Sequence, residues 1–101
     1  MGRKKVIGTE TVVAQVEELV SSDLDGETVM MSVQNGKYYG MDKIGSRIWA
    51  LIEEPRSVSN VCDTILGEFD VSRDRCEQDV LAFLNKLAED NLVKVIDASA
   101  G

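Results

Sequence analysis

The chain has 101 residues, 44% hydrophobic and 29% charged, with one Pro and a formal net charge of −7. That length holds one hydrophobic core but not two domains with a cleft between them, and the composition is that of a folded chain rather than a disordered one. The sequence contains no histidine, which removes the commonest general base and the commonest metal ligand together, while the acidic balance argues against nucleic acid and anionic membrane surfaces, both of which call for a basic face.

The longest apolar run, Ile48-Trp49-Ala50-Leu51-Ile52, falls far below the roughly 20 residues that span a bilayer. Arg3-Lys4-Lys5 is followed by no signal-type apolar region, so a cytoplasmic location is expected. Residues 1–17 show weak patterning and read as a weakly ordered N-terminal segment. One domain is expected over residues 18–97, with a loose tail at 98–101.

Within that domain, Asp25-Gly26 and Asn35-Gly36 punctuate three short segments, residues 19–24, 27–34 and 37–41. Both dipeptides tolerate positive φ and favour tight hairpins, which predicts a three-stranded antiparallel meander. In the middle strand Val29, Met31 and Val33 alternate with Met30, Ser32 and Gln34, as on a sheet with one covered face. A two-residue turn at Asn35-Gly36 would pair Lys37 with Gln34, whereas a three-residue turn with a bulge would set Lys37 opposite Val33. The bulged register is favoured, because it puts Tyr39 and Met41 on the face of Val29, Met31 and Val33. Alternation then turns the backbone N–H and C=O of Tyr38 and Gly40 outward, and those of Tyr39 and Met41 towards the middle strand.

After Met41 the apolar period lengthens to about 3.6 residues. Asp42 is placed to cap a first helix carrying Ile44, Ile48, Leu51 and Ile52, which Pro55 closes. A second helix begins near Ser57 and carries Val58, Val61, Cys62, Ile65, Leu66 and Phe69. The third is the longest, with Ser72 as N-cap, Asp74 near the positive end of its dipole, and a stripe of Cys76, Val80, Phe83, Leu84 and Leu87. Asn91 suits the left-handed position after that helix, which would bring Leu92 against Leu87. A short extended segment follows at residues 92–96. The expected class is α+β and winged-helix-like, a three-stranded antiparallel sheet followed by three helices.

Little catalytic chemistry is available to these residues. Cys62 and Cys76 lie on the apolar stripes of different helices without a CxxC spacing, and read as buried thiols rather than as a zinc site or a disulfide. The acidic pairs Glu17-Glu18, Glu53-Glu54 and Glu89-Asp90 are adjacent in sequence and do not converge on one point of a helix face. Gly36, Gly40 and Gly45 match neither a dinucleotide nor a phosphate loop. No catalytic residue, metal or cofactor is expected. Tyr38, Tyr39 and Trp49 are three of only five aromatic residues, and they gather where the third strand meets the first helix, either as core or as a binding surface.

From Asp25-Gly26-Glu27, and more densely through Gly36-Lys37-Tyr38-Tyr39-Gly40-Met41-Asp42-Lys43-Ile44-Gly45-Ser46-Arg47-Ile48-Trp49, the sequence resembles the PqqD-like family of leader-peptide recognition elements. Val61-Cys62, Leu66, Phe69, Val71, Cys76, Asp79-Val80, Phe83-Leu84, Leu87 and Leu92-Val93 continue it in the manner of the stand-alone members of lasso-peptide biosynthesis. Met41 and Asn91 stand where such proteins usually carry Leu and Gly. The resemblance implies binding of the leader of a ribosomally made peptide precursor, added as an antiparallel strand to the third strand and lying in a groove walled by the third helix. The implied peptide-binding residues are Tyr38, Tyr39, Gly40 and Met41 on the strand, with candidates Val80, Phe83, Leu84 and Leu87 on the helix. The implied partners are that leader and a cysteine-protease-like leader peptidase, with a cyclase as a further candidate. The open third-strand edge also admits a second copy of the chain.

A winged-helix DNA-binding domain has the same parts. Charge weighs against it: the third helix sets Arg73, Arg75 and Lys86 against Asp74, Glu77, Asp79, Glu89 and Asp90, a surface that repels phosphate.

Overall fold

The structure, a computed structural model, describes residues 7–17, 19–25, 27–33 and 35–96. Its elements are β1 (Val12–Gln15), β2 (Leu19–Leu24), β3 (Glu27–Ser32), β4 (Lys37–Gly40), α1 (Lys43–Leu51), β5 (Arg56–Ser57), α2 (Val58–Glu68), α3 (Arg73–Glu89) and β6 (Val93–Ile96). The α+β class, the meander and the three helices are as the sequence implied. A second antiparallel sheet, ordered β5-β1-β6, accompanies the meander.

That second sheet corrects the expectation for the N-terminal segment. Within it, residues 7–17 are structured: β1 is a central strand, Val13 and Ile7 are buried, and the Ile7 amide donates to Asn85 Oδ1 of α3 at 3.1 Å. The Gln15 side chain donates to the Trp49 carbonyl at 2.8 Å, tying β1 to α1. Four residues are too few to show a period, and their partners lie more than 40 positions away, as Val12 pairs with Ser57 and Ile96. Glu18, where order was expected to begin, and the tail at residues 98–101 lie outside the described residues.

The hairpin from β2 to β3 is the tight one expected. Leu24 pairs with Glu27, and Asp25 has a φ of 55°. The next hairpin takes neither register expected of it. Lys37 pairs with Ser32 and Tyr39 with Met30, leaving the four-residue turn 33–36. Ser32 decides this: its hydroxyl accepts the Asn35 amide at 3.1 Å and its carbonyl accepts the Gly36 amide at 2.8 Å, with Gly36 at a φ of 67°. Gln34 lies outside the described residues. The covered face is accordingly that of Met30, which is 0% exposed, and Ser32, with Tyr39 packed beside them. Val29 and Met31 face outward instead. There Val20, Met31 and Tyr38 stand side by side across the sheet.

The helices begin where their caps dictate. The side chains of Asp42, Ser57 and Ser72 accept the amides of Gly45, Asn60 and Arg75 respectively. At the end of α3, Asn91 has a φ of 63°, and the amides of Asn91 and Leu92 bond the carbonyls of Ala88 and Leu87. This is the paired capping arrangement that holds an apolar contact beneath it, here between buried Leu92 and Leu87. The core lies where α1, α2 and α3 meet β1, β3 and β6, and contains both thiols, Cys62 and Cys76, free and buried.

Candidate peptide-binding groove

The meander is ordered β2-β3-β4, so β4 is an edge strand. The direction of its amides is set at its far end, where the Met41 N–H donates to the Thr28 carbonyl at 2.9 Å. Alternation therefore turns Tyr39 towards β3, and the N–H and C=O of Tyr38 and Gly40 towards the open side. The reciprocal bond of that last pair is interrupted by Ser46 of α1. Its hydroxyl accepts the Thr28 N–H at 2.7 Å and donates to the Met41 carbonyl at 3.1 Å. One side chain thus ends the ladder with both polar groups satisfied and steers the chain into α1.

α3 passes beside this edge. Between them lies a groove of about 350 Å³, bounded by Tyr38, Tyr39, Gly40 and Met41 on the strand and by Phe83, Lys86 and Leu87 on the helix. Asn35 ties the turn before β4 to the end of α3, its Nδ2 donating to the carbonyl of Asp90 at 2.8 Å. Phe83 also borders a cavity of about 300 Å³ against Asp42, Ile44, Gly45, Ile48, Asp79 and Ala82. Gly45 makes this approach feasible, because a Cβ there would sit 3.2 Å from Phe83 Cε1. The walls are apolar and aromatic, the floor is the edge of a sheet, and the single titratable side chain at the rim of the first groove other than its tyrosines is Lys86.

Six of the eight residues named from the sequence come together here: Tyr38, Tyr39, Gly40, Met41, Phe83 and Leu87. Val80 and Leu84, at 1% and 0% exposure, point into the core instead and support the helix from behind. Lys86 was missed, since a search of the apolar stripe passes over a cation on its flank, although its place one turn after Phe83 puts it on the same side of the helix. Trp49 is buried in the core and does not border the groove. Tyr38 is 74% exposed, an unusual position for an aromatic ring on a strand. No group of three or more His, Cys, Asp or Glu side chains among the described residues is arranged to hold a metal ion. No helix among them is long and apolar enough to cross a membrane.

An open sheet edge above an apolar trough, on a winged-helix-like α+β domain, defines a class of strand-accepting peptide-binding domains. The family follows from the sequence. Residues 27–93 match the model of coenzyme PQQ synthesis protein D, which is more than half of the chain, and the protein belongs to this PqqD family. Among solved structures it is similar to TbiB1, in a complex with the TbiA(beta) leader peptide. That likeness has 37% identity over 80% of this chain and 94% of the other, with a TM-score of 0.74. A lasso peptide synthetase B1 complexed with its leader peptide shares the fold at 20% identity, 81% and 96% coverage and a TM-score of 0.71. So does the PqqD truncation of Methylobacterium extorquens PqqCD, a recognition element for ribosomally synthesised, post-translationally modified peptides, at 14% identity, 87% and 94% coverage and a TM-score of 0.73. No curated protein matches the chain.

Proposed function

We infer that this protein captures the leader segment of a ribosomally made peptide precursor, of the lasso-peptide kind, by strand addition to β4. The observation that carries the reading is the coincidence of two features at one place. Tyr38 and Gly40 turn their backbone groups to the open edge of the sheet, and the groove alongside offers Phe83, Leu87, Tyr39 and Met41 to alternate side chains of an added strand. Main-chain bonds align such a peptide, and the apolar contacts select it. Likeness to TbiB1, solved with a leader peptide, supports the same choice of ligand.

The protein adds no chemistry of its own in this reading. It works in the cytoplasm by raising the local concentration of substrate at a partner, a cysteine-protease-like leader peptidase with a cyclase acting later. The test is titration of the purified chain with a cognate leader, the full precursor and the core peptide. Equal affinity for leader and precursor, with none for the core, is expected. Core binding as tight as leader binding would overturn the reading, and modified product made by this chain alone would overturn its non-catalytic part.

A further inference from the structure

The described lysines, Lys37, Lys43, Lys86 and Lys94, make no ion pair among the described residues, and of the four Lys86 alone borders the groove, whereas the described arginines are engaged. Arg47 is held by Glu68, Arg73 by Asp63 and Glu77, and Arg75 by Asp79, while Arg56 bonds the Leu51 carbonyl and the Asn60 side chain. Lys86 takes part in no ion pair among the described residues, yet it borders the groove. Asp90, one turn further along, uses its main-chain carbonyl to receive Asn35, and its carboxylate is outside ion-pair distance of Lys86. Lys37 begins the edge strand at this same end, next to the Asn35 turn. On a chain of net charge −7, the rim of the groove therefore carries a positive charge that no ion pair among the described residues engages. Such a site discriminates by charge as well as by apolar fit.

We propose that Lys86 selects leader peptides that carry an aspartate or glutamate on the groove-facing side of the bound strand; this rests on the strand-addition reading given above. The position of that carboxylate follows from the directions of the elements. Asn35, before β4, meets the end of α3, and Gly45, after β4, meets Phe83 in its middle. β4 and α3 are thus antiparallel. A peptide antiparallel to β4 runs along α3 in the same sense, and passes Phe83 before Lys86. Groove-facing residues of a strand recur every second position, about 7 Å apart, against about 5 Å along the helix axis from Phe83 to Lys86, a difference that the flexible lysine side chain spans. The selected pattern is an apolar residue that packs on Phe83, any residue, then Asp or Glu.

The probe is a displayed library of random peptides about 14 residues long, enough to cover a strand of ordinary length with flanks, selected in parallel on the unaltered chain and on Lys86→Glu. Lys86 is exposed, so its replacement leaves the fold intact, which a thermal melt confirms. The expected result is a pool enriched in apolar-x-acidic peptides on the unaltered chain, and a pool with the same apolar anchor but Lys or Arg at the third position on Lys86→Glu. For a synthetic consensus peptide, exchanging its Glu for Gln should weaken binding by about two- to fivefold at low salt, as for an exposed ion pair, and by less at about 0.5 M salt. Identical residue preferences in the two pools would overturn the role of Lys86 and leave the groove standing. A pool that still binds Phe83→Ser, or the absence of any enriched peptide, would overturn the groove reading and this inference with it.

Discussion

At single residues, the alternation along β4 separates binding from folding. Proline lacks an N–H, so it is tolerated where that group faces an open edge and damaging where the group belongs to the ladder. Tyr38→Pro is expected to leave a folded chain with leader binding largely lost. Gly40→Pro should behave likewise, because Gly40 is not among the residues with positive φ and has open space around its Cβ position. Tyr39→Pro should instead destabilise the fold by about 3 kcal/mol or more. Melting temperature and leader affinity, measured side by side, check all three variants. Tight binding by Tyr38→Pro would exclude β4 as the pairing edge.

Ser46 offers a second residue-scale test, since one hydroxyl satisfies both the Thr28 N–H and the Met41 carbonyl. Ser46→Ala is expected to cost about 1–3 kcal/mol, the usual penalty for leaving buried polar groups unpaired. It should also raise hydrogen exchange at the Thr28 amide, which loses its acceptor. An unchanged melting curve would show that water replaces the hydroxyl.

Cys62 is chemically silent for a related reason. Burial, and after it the neighbouring Cys76 thiol, pushes its pKa up to about 12. Only the thiolate reacts with iodoacetamide. At a pH near 8, where an ordinary thiol is already partly ionised, labelling of Cys62 should occur only as fast as the protein opens, and become rapid in denaturant. Fast labelling of the native chain, read by mass spectrometry, would contradict the packing of α2 on α3.

Among elements, the shape of the groove depends on how closely α1 approaches α3. A Cβ on Gly45 would press on Phe83 Cε1 and on Asp42 Oδ1, each at 3.2 Å. The ring is the more mobile of the two and has the groove to move into. Gly45→Ala gains about 1 kcal/mol of helix propensity, set against the cost of displacing the ring. The expected outcome is a melting temperature close to that of the parent with leader affinity reduced several-fold, and recovery of affinity in the double variant with Phe83→Leu. A stability loss without an affinity loss would place the strain at the Asp42 cap instead. Element by element, the caps at Asp42 and Ser72, the start of α2 near Ser57 and the turn at Asn91 were legible because each acts within three or four residues of itself. The register of β4 was not, because Ser32 chose the turn by folding its own hydroxyl back onto Asn35, a bond that competes with the dipeptide preference of Asn35-Gly36.

For the whole molecule, the β5-β1-β6 sheet makes residues 7–17 structural. β1 lies between its two partners, and Gln15 and Ile7 bond α1 and α3 directly. Deleting residues 1–15 exposes the apolar surfaces that Val13 and Ile7 cover and is expected to abolish cooperative melting. A truncated chain that melts cooperatively near the parent temperature would restore the view of these residues as an appendage.

What the sequence determined by itself depends on near neighbours: the periods of three helices, the caps at Asp42 and Ser72, the first hairpin, and the outward turn of Tyr38 and Gly40, which survives a changed register because alternation is local. Its motif block also identified the family. Tertiary structure decided what depends on distant segments. It placed β1 between strands far along the chain, turned Met30 inward although Val29 and Met31 are equally apolar, and sorted the α3 stripe into Val80 and Leu84, wholly in the core, Leu87, buried but bordering the groove, and Phe83, half-buried beside it. The physical reason is that a helix stripe is wider than the line of contact with any one neighbour, so which of its apolar residues is buried and which is offered to a ligand is settled only when the opposing strand is in place.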